Sequence, residues 1–235
     1  QAIEPLRWVD KKYIHSSILL MSFRKYILIL LLTLPAMPAL AVSISETRGG
    51  ELRCSNSISG PPACDSPIDP ASSIVIVNGN PHALIRAIND TQYILSRGYS
   101  FFDLAGVDLG GLTAAKIKIT GNGTYDNAGN KWFNIYAFNP DDLNNLAAAD
   151  YPKASSTPFM DSNFNLSAWN AGDANLLTLN ADGIDYLKNG GRSFAYRGYY
   201  DVNSADPGPN ENRIDGINTT LILARTLNVC VSCAH

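Results

Sequence analysis

The stretch "AAKIKIT" (Ala114–Thr120) decides the fold class. Successive side chains of a β-strand point to opposite faces, so Ile117 and Ile119 face a core while Lys116 and Lys118 face water. Outward from it, the loop "GNGTYDNAGN" leads to "KWFNIYAF" (Lys131–Phe138), where the alternation resumes. Upstream, "SIVIV" (Ser73–Val77) is a short apolar run ended by "NGN", and "TQYILSRGYSFFDL" (Thr91–Leu104) is long and aromatic. Gly98 interrupts the latter and predicts a bulge or bend. Downstream, "NLLTL", "SFAYRGYYDV" and "TTLILAR" read as further strands.

Two stretches predict helices. In "PDDLNNLAAADY", Pro140 suits a first helical position, and Asp141 and Asp142 place negative charge in the first turn. In "NADGIDYLKNGG", Asn180 is the cap, Ile184 and Leu187 share a face, and Gly190 is the stop. Many short strands with turn signals and two small helices on connections predict an all-β, antiparallel β-sandwich, jelly-roll-like in form.

"MSFRKYILILLLTLPAMPALA" (Met21–Ala41) has the parts of a secretory leader: Arg24 and Lys25, an apolar run over Tyr26–Leu34, and the small residues Ala39 and Ala41 of "ALA". The run is shorter than the roughly 20 residues a membrane span needs. Cleavage is expected before Val42, and residues 1–20 are expected to be upstream translation, which removes Trp8 and His15 from the functional inventory. The remainder divides into an irregular, cysteine-bearing lead-in (42–82), a sandwich domain (83–225) and a cysteine-bearing tail (226–235).

The whole chain carries a net charge of −3. Everything before Val42 holds Arg7, Lys11, Lys12, Arg24 and Lys25 against Glu4 and Asp10, so the mature part is more acidic still. A mildly acidic chain with no basic run speaks against nucleic acid and against an electrostatic hold on anionic membranes.

A linked series of weak motifs carries a resemblance. "RGYSFFDLAGV" (Arg97–Val107) is followed by "LTAAKIKITGNG". "TLNADGI" then comes with its helical turn, "RGYYD" (Arg197–Asp201), "PGPNEN" (Pro207–Asn212) and the last strand "TTLILAR". This order resembles DNRLRE-type secreted β-sandwich modules of prokaryotic surface and extracellular proteins, over about Ala83–Arg225. The resemblance implies a binding or structural unit without a common catalytic residue set. The cysteine-bearing ends depart from it.

Those ends hold Cys54, Cys64, Cys230 and Cys233. The terminal "CVSCAH" invites a haem, a zinc or a redox reading. Haem attachment uses C-x-x-C-H, whereas Ala234 here separates Cys233 from His235. Secreted thiols oxidise before they hold zinc, and no βαβ setting supports a redox pair. Disulfides are the expectation, with a local Cys54–Cys64 bridge favoured among three connectivities.

Histidine is scarce: only His82 and His235 follow the leader, and His82 reads as an exposed loop residue. A secreted hydrolase would rest on Asp103, Asp108, Asp126, Asp141, Asp142, Asp182 or Asp185, though Asp in turns and caps has an ordinary structural use. "DVNSADPGPNENRIDG" gathers Asp201, Asn203, Asp206, Asn210 and Asp215, hard oxygen ligands of the kind calcium takes, without EF-hand spacing. A solvated loop is the plainer reading of it. Trp132, Trp169, Tyr196, Tyr199 and Tyr200 are candidates for stacking on sugar rings, against the alternative of core burial.

The expectation is a secreted, non-enzymatic, structural or adhesive surface or matrix module, self-associating through strand edges. Carbohydrate binding, with a polysaccharide partner, stands as the second reading and an aspartate-based hydrolase as the third. No cofactor is expected beyond calcium.

Overall fold

The computed structural model describes residues 40–56, 72–78, 82–89, 93–126, 131–207 and 211–226. The leader up to Ala39, Cys64, Asn210 and the terminal cysteines lie outside the described residues. All β-strand pairings between named strands are antiparallel, and the fold is an all-β, sandwich-like arrangement with few short helices. The strands are β1 (Leu40–Asn56), β2 (Ser72–Asn78), β3 (His82–Asn89), β4 (Tyr93–Phe102), β5 (Leu112–Asp126) and β6 (Trp132–Phe138). They continue with β7 (Ala154–Pro158), β8 (Phe164–Asn165), β9 (Ala174–Thr178), β10 (Ser193–Gly198) and β11 (Asn212–Arg225).

Three long strands change partners along their length and so join the layers. The first part of β1 pairs with the end of β11, Val42 opposite Leu223 and Ser45 opposite Thr220. Beyond a register shift between Glu46 and Arg48, β1 lies between β2 and β4. Strand β11 begins between β3 and β5 and ends between β5 and β1. On β4, the neighbour opposite β1 is β3 up to Arg97 and β10 from Gly98 onward. The main core lies between the two strand groups that result. Ile117, Leu177, Leu221 and Leu223 of β5, β9 and β11 meet Phe102, Phe133, Ile135, Phe194 and Tyr196 of β4, β6 and β10.

The alternation of "AAKIKIT" is realised: Ile117 and Ile119 are fully buried and Lys116 is exposed. Each such isoleucine stabilises by roughly 1.5–3 kcal/mol. Gly98 sits where β3 and β10 part. A Cβ there would lie 2.6 Å from the Leu84 Cα, so the residue serves a close backbone approach rather than a bulge.

Several expectations need correction. The described residues of the expected irregular lead-in are strands, β1 and β2, and β1 lies inside the sheet. His82 opens β3 rather than lying in a loop. Strand β6 is buried at six successive positions from Phe133 to Phe138 instead of alternating. Its second face is covered by residues 139–153: Leu146 and Tyr151 pack with Tyr99, Phe101 and Phe138, and the last two rings stack at 6.0 Å.

That covering segment is not the expected α-helix either. Asp142 Oδ1 accepts the Asn144 N–H, and the Asp150 carboxylate accepts the N–H groups of Asp141 and Ala147. Side chains thus take the donors a helix would use, and only a 3-10 turn forms, over Ala148–Lys153. The second prediction holds. Helix α1 (Ala181–Lys188) is capped by Asn180 accepting from the Gly183 N–H, and Gly190 stops it at φ 87°. The stretch "SFAYRGYYDV" divides into β10 and a single helical turn, α2 (Tyr199–Val202).

Candidate functional site

The five aromatic candidates separate into two groups. Tyr196 and Trp169 are core residues, packed against Phe133. Tyr196 lies on β10, buried at four successive positions, and Trp169 follows the short 3-10 turn over Leu166–Ala168. Tyr200 is buried as well, against Tyr93 and Leu95. Trp132 and Tyr199 come together near the surface, their rings edge-on at 5.7 Å. The Lys131 ammonium lies 4.4 Å from the Tyr199 ring centre and covers one face of it. A cation so placed is held by the ring's negative face. This arrangement offers no row of stacking platforms.

The oxygen-rich loop is also dispersed. Asp201 is wholly committed: Arg97 Nε and Nη2 donate to its two oxygens at 2.8 and 2.7 Å, and Arg197 Nε donates to Oδ2 at 2.9 Å. Burial raises the Asp201 pKa, but the two guanidinium groups outweigh it and hold the carboxyl below its ordinary range. Asp215 receives Arg213 Nε at 2.7 Å. Asn203 Nδ2 donates to the Tyr199 carbonyl and closes α2. Asp206 is exposed, and Asn210 is outside the described residues. As a calcium set these five are corrected at Asp201 and Asp215, whose oxygens already serve arginines. Among the described residues, no three His, Cys, Asp or Glu side chains are grouped to hold a metal ion.

The arginine clamp was missed because Arg97, on β4, lies about a hundred residues from Arg197 on β10 and Asp201 on α2. The signal was present: "RGY" occurs twice, at Arg97 and Arg197, each time a cation inside an otherwise apolar strand. Arg97 is 2 % exposed, donates from Nη1 to the Tyr151 carbonyl, and stacks 4.1 Å from the Tyr151 ring centre.

Of the cysteines, Cys54 is disulfide-bonded and wholly buried beside Leu52 and Tyr99. Cys64, Cys230 and Cys233 fall outside the described residues. Several of the aspartates considered for hydrolysis hold local structure. Asp103 and Asp108 accept the N–H groups of Ala105 and Gly110, two residues on, and Asp141 pairs with Lys153.

An open sheet edge stands out instead. Among the described residues, β9 pairs with β5 alone. Their register runs unbroken from Thr178 opposite Lys116 to Ala174 opposite Thr120, and the Leu179 N–H continues it to the Ala115 carbonyl at 2.9 Å. Antiparallel pairing alternates the direction of backbone groups. The N–H and C=O groups of Ala174, Leu176 and Thr178 therefore point away from β5. Leu176 is 52 % exposed, and the strand's five residues carry no charge and no proline. A cleft of about 340 Å³ adjoins the edge, between Leu176–Thr178 and the loop Met160–Asn165. Buried Asn134 fixes that loop: its Oδ1 accepts the Met160 N–H, and its Nδ2 donates to Asn163 Oδ1 at 2.8 Å.

Compared with known proteins, the chain matches no family model and no curated protein.

Proposed function

We propose that the protein is an exported, non-enzymatic β-sandwich module that acts as a structural or adhesive component and associates with further copies of itself through β9. The observation that carries this reading is the unguarded edge. Natural edge strands are blunted by lysine, proline, bulges or covering loops, and β7 ends in Pro158 in that manner. Strand β9 has no lysine, proline or bulge and presents Leu176 outward, and the Met160–Asn165 loop flanks it across a cleft instead of pairing with it. An antiparallel β9–β9 pairing is self-complementary, the same patch serving both partners about a two-fold axis.

Two further features support the reading. The disulfide at Cys54 suits an oxidising compartment and so the leader over Met21–Ala41. The resemblance of the sequence to DNRLRE-type modules, which are binding or structural units, points the same way.

Sedimentation equilibrium of the protein expressed from its full chain tests the proposal. Dimer or higher species should appear with rising concentration and vanish in Leu176→Lys, whose folded spectrum stays unchanged. A wild-type protein that is monomeric throughout the concentration series would contradict it.

A further inference from the structure

A second cleft, of about 380 Å³, opens between the β1 bulge, the end of β4 and residues Leu143 and Asn144. Its size lies within the roughly 300–1,000 Å³ of small-molecule sites. Two arginines, Arg48 and Arg192, and one acidic residue, Asp103, are among the residues that line it. On a chain of net charge −3, this is a local positive site.

Each group is placed by the fold. The register shift between Glu46 and Arg48 turns the Arg48 side chain toward Leu143, whose carbonyl accepts from Nη1 at 2.8 Å. A guanidinium has five N–H donors, so the bond that orients Arg48 leaves others for a ligand. Arg192 is held by its backbone, its carbonyl accepting the Phe102 N–H at 2.9 Å, while its side chain is exposed. Asp103 Oδ1 accepts the Ala105 N–H and Oδ2 remains as an acceptor. Asn144 lies beside it on the rim.

We propose that this cleft binds the carboxylate of an acidic sugar, a hexuronate unit of a polysaccharide. Two arginines match a carboxylate in charge and geometry. Asp103 selects among anions: it repels a bare oxyanion but accepts hydrogen bonds from hydroxyl groups, which a uronate carries and sulfate does not. The site is separate from β9, so it stands or falls independently of self-association.

The test is calorimetric titration of the protein expressed from its full chain with sodium galacturonate, with galactose and sodium sulfate as comparisons. Galacturonate should bind with a salt-sensitive affinity, and galactose and sulfate at least tenfold more weakly. Arg192→Gln should weaken galacturonate at least tenfold with an unchanged melting temperature, as only its backbone serves the fold. Asp103→Asn should weaken galacturonate while strengthening sulfate. No heat with galacturonate, equal binding of galactose or sulfate, or an Arg192→Gln protein that binds as the wild type does would overturn the assignment.

Discussion

Replacing Glu46 by glutamine should make the protein more stable at pH 8 and leave it nearly unchanged at pH 4. Glu46 sits where β1 leaves β11 and joins β4, between Ser45 opposite Thr220 and Arg48 opposite Phe101. The parting strands enclose its side chain beside Ser100, Thr219 and Tyr196. Asn218 takes a left-handed φ of 52° as β11 bends away. Burial pushes the Glu46 carboxyl from its ordinary 4.5 up to about 7, against the opposing effect of the Ser100 and Thr219 hydroxyls. A carboxyl whose pKa is raised by folding gives its full stability below pH 4.5, and that stability is lost as pH rises through about 7. At roughly 1.4 kcal/mol per pH unit, the gap between 4.5 and about 7 amounts to about 3 kcal/mol at pH 8. Glutamine resembles the protonated acid and does not titrate. For a domain of this size the difference corresponds to roughly 6–12 °C in melting temperature. Urea unfolding of both proteins at pH 4 and pH 8 measures it, and the histidines, common to both, cancel in the comparison. A stability difference of the same size at both pH values would refute the reasoning.

Other outcomes follow from the same contacts. Asp201→Asn leaves Arg97 and Arg197 buried without their counter-charge and should cost about 3–5 kcal/mol in urea unfolding. Asp201 and Asp150 both have pKa values below their ordinary 3.8, so the stability they give is present above that pH and lost as pH falls beneath it; acid titration by circular dichroism reads this as unfolding. Gly98→Ala drives a methyl against the Leu84 backbone and should destabilise by about 1–3 kcal/mol, measured by thermal melting. Asn180→Ala removes the cap of α1 and should cost about 1 kcal/mol by urea unfolding.

What the sequence disclosed depended on how plainly each element obeyed a single period. Strand β5 did, because one of its faces is solvated, and α1 did, because cap, apolar face and glycine stop agree. Strand β1 did not. "SETRGGELR" mixes charges with two glycines, and one pair of those charges is absorbed within the strand: Glu51 pairs with Arg53 two residues on and accepts the Ala83 N–H at 3.2 Å. A strand that carries four charges reads as linker until its partners are known. Strand β6 lost its alternation to the 139–153 cover, a tertiary event with no local signal. At the level of sites, proximity in sequence misled: Asp201, Asn203 and Asp215 are neighbours in the chain but serve different arginines and caps. Arg48, Arg192 and Asp103 share a cleft although no motif joins them.

The most direct measurement of the central proposal is hydrogen exchange at β9, followed residue by residue in dilute and concentrated protein. The odd-numbered amides, Asn175 and Leu177, face β5 and should be protected in both. The amides of Leu176 and Thr178 face away and should exchange quickly when dilute and slowly when concentrated. Rapid exchange of those two amides in dilute and concentrated protein alike would contradict the account.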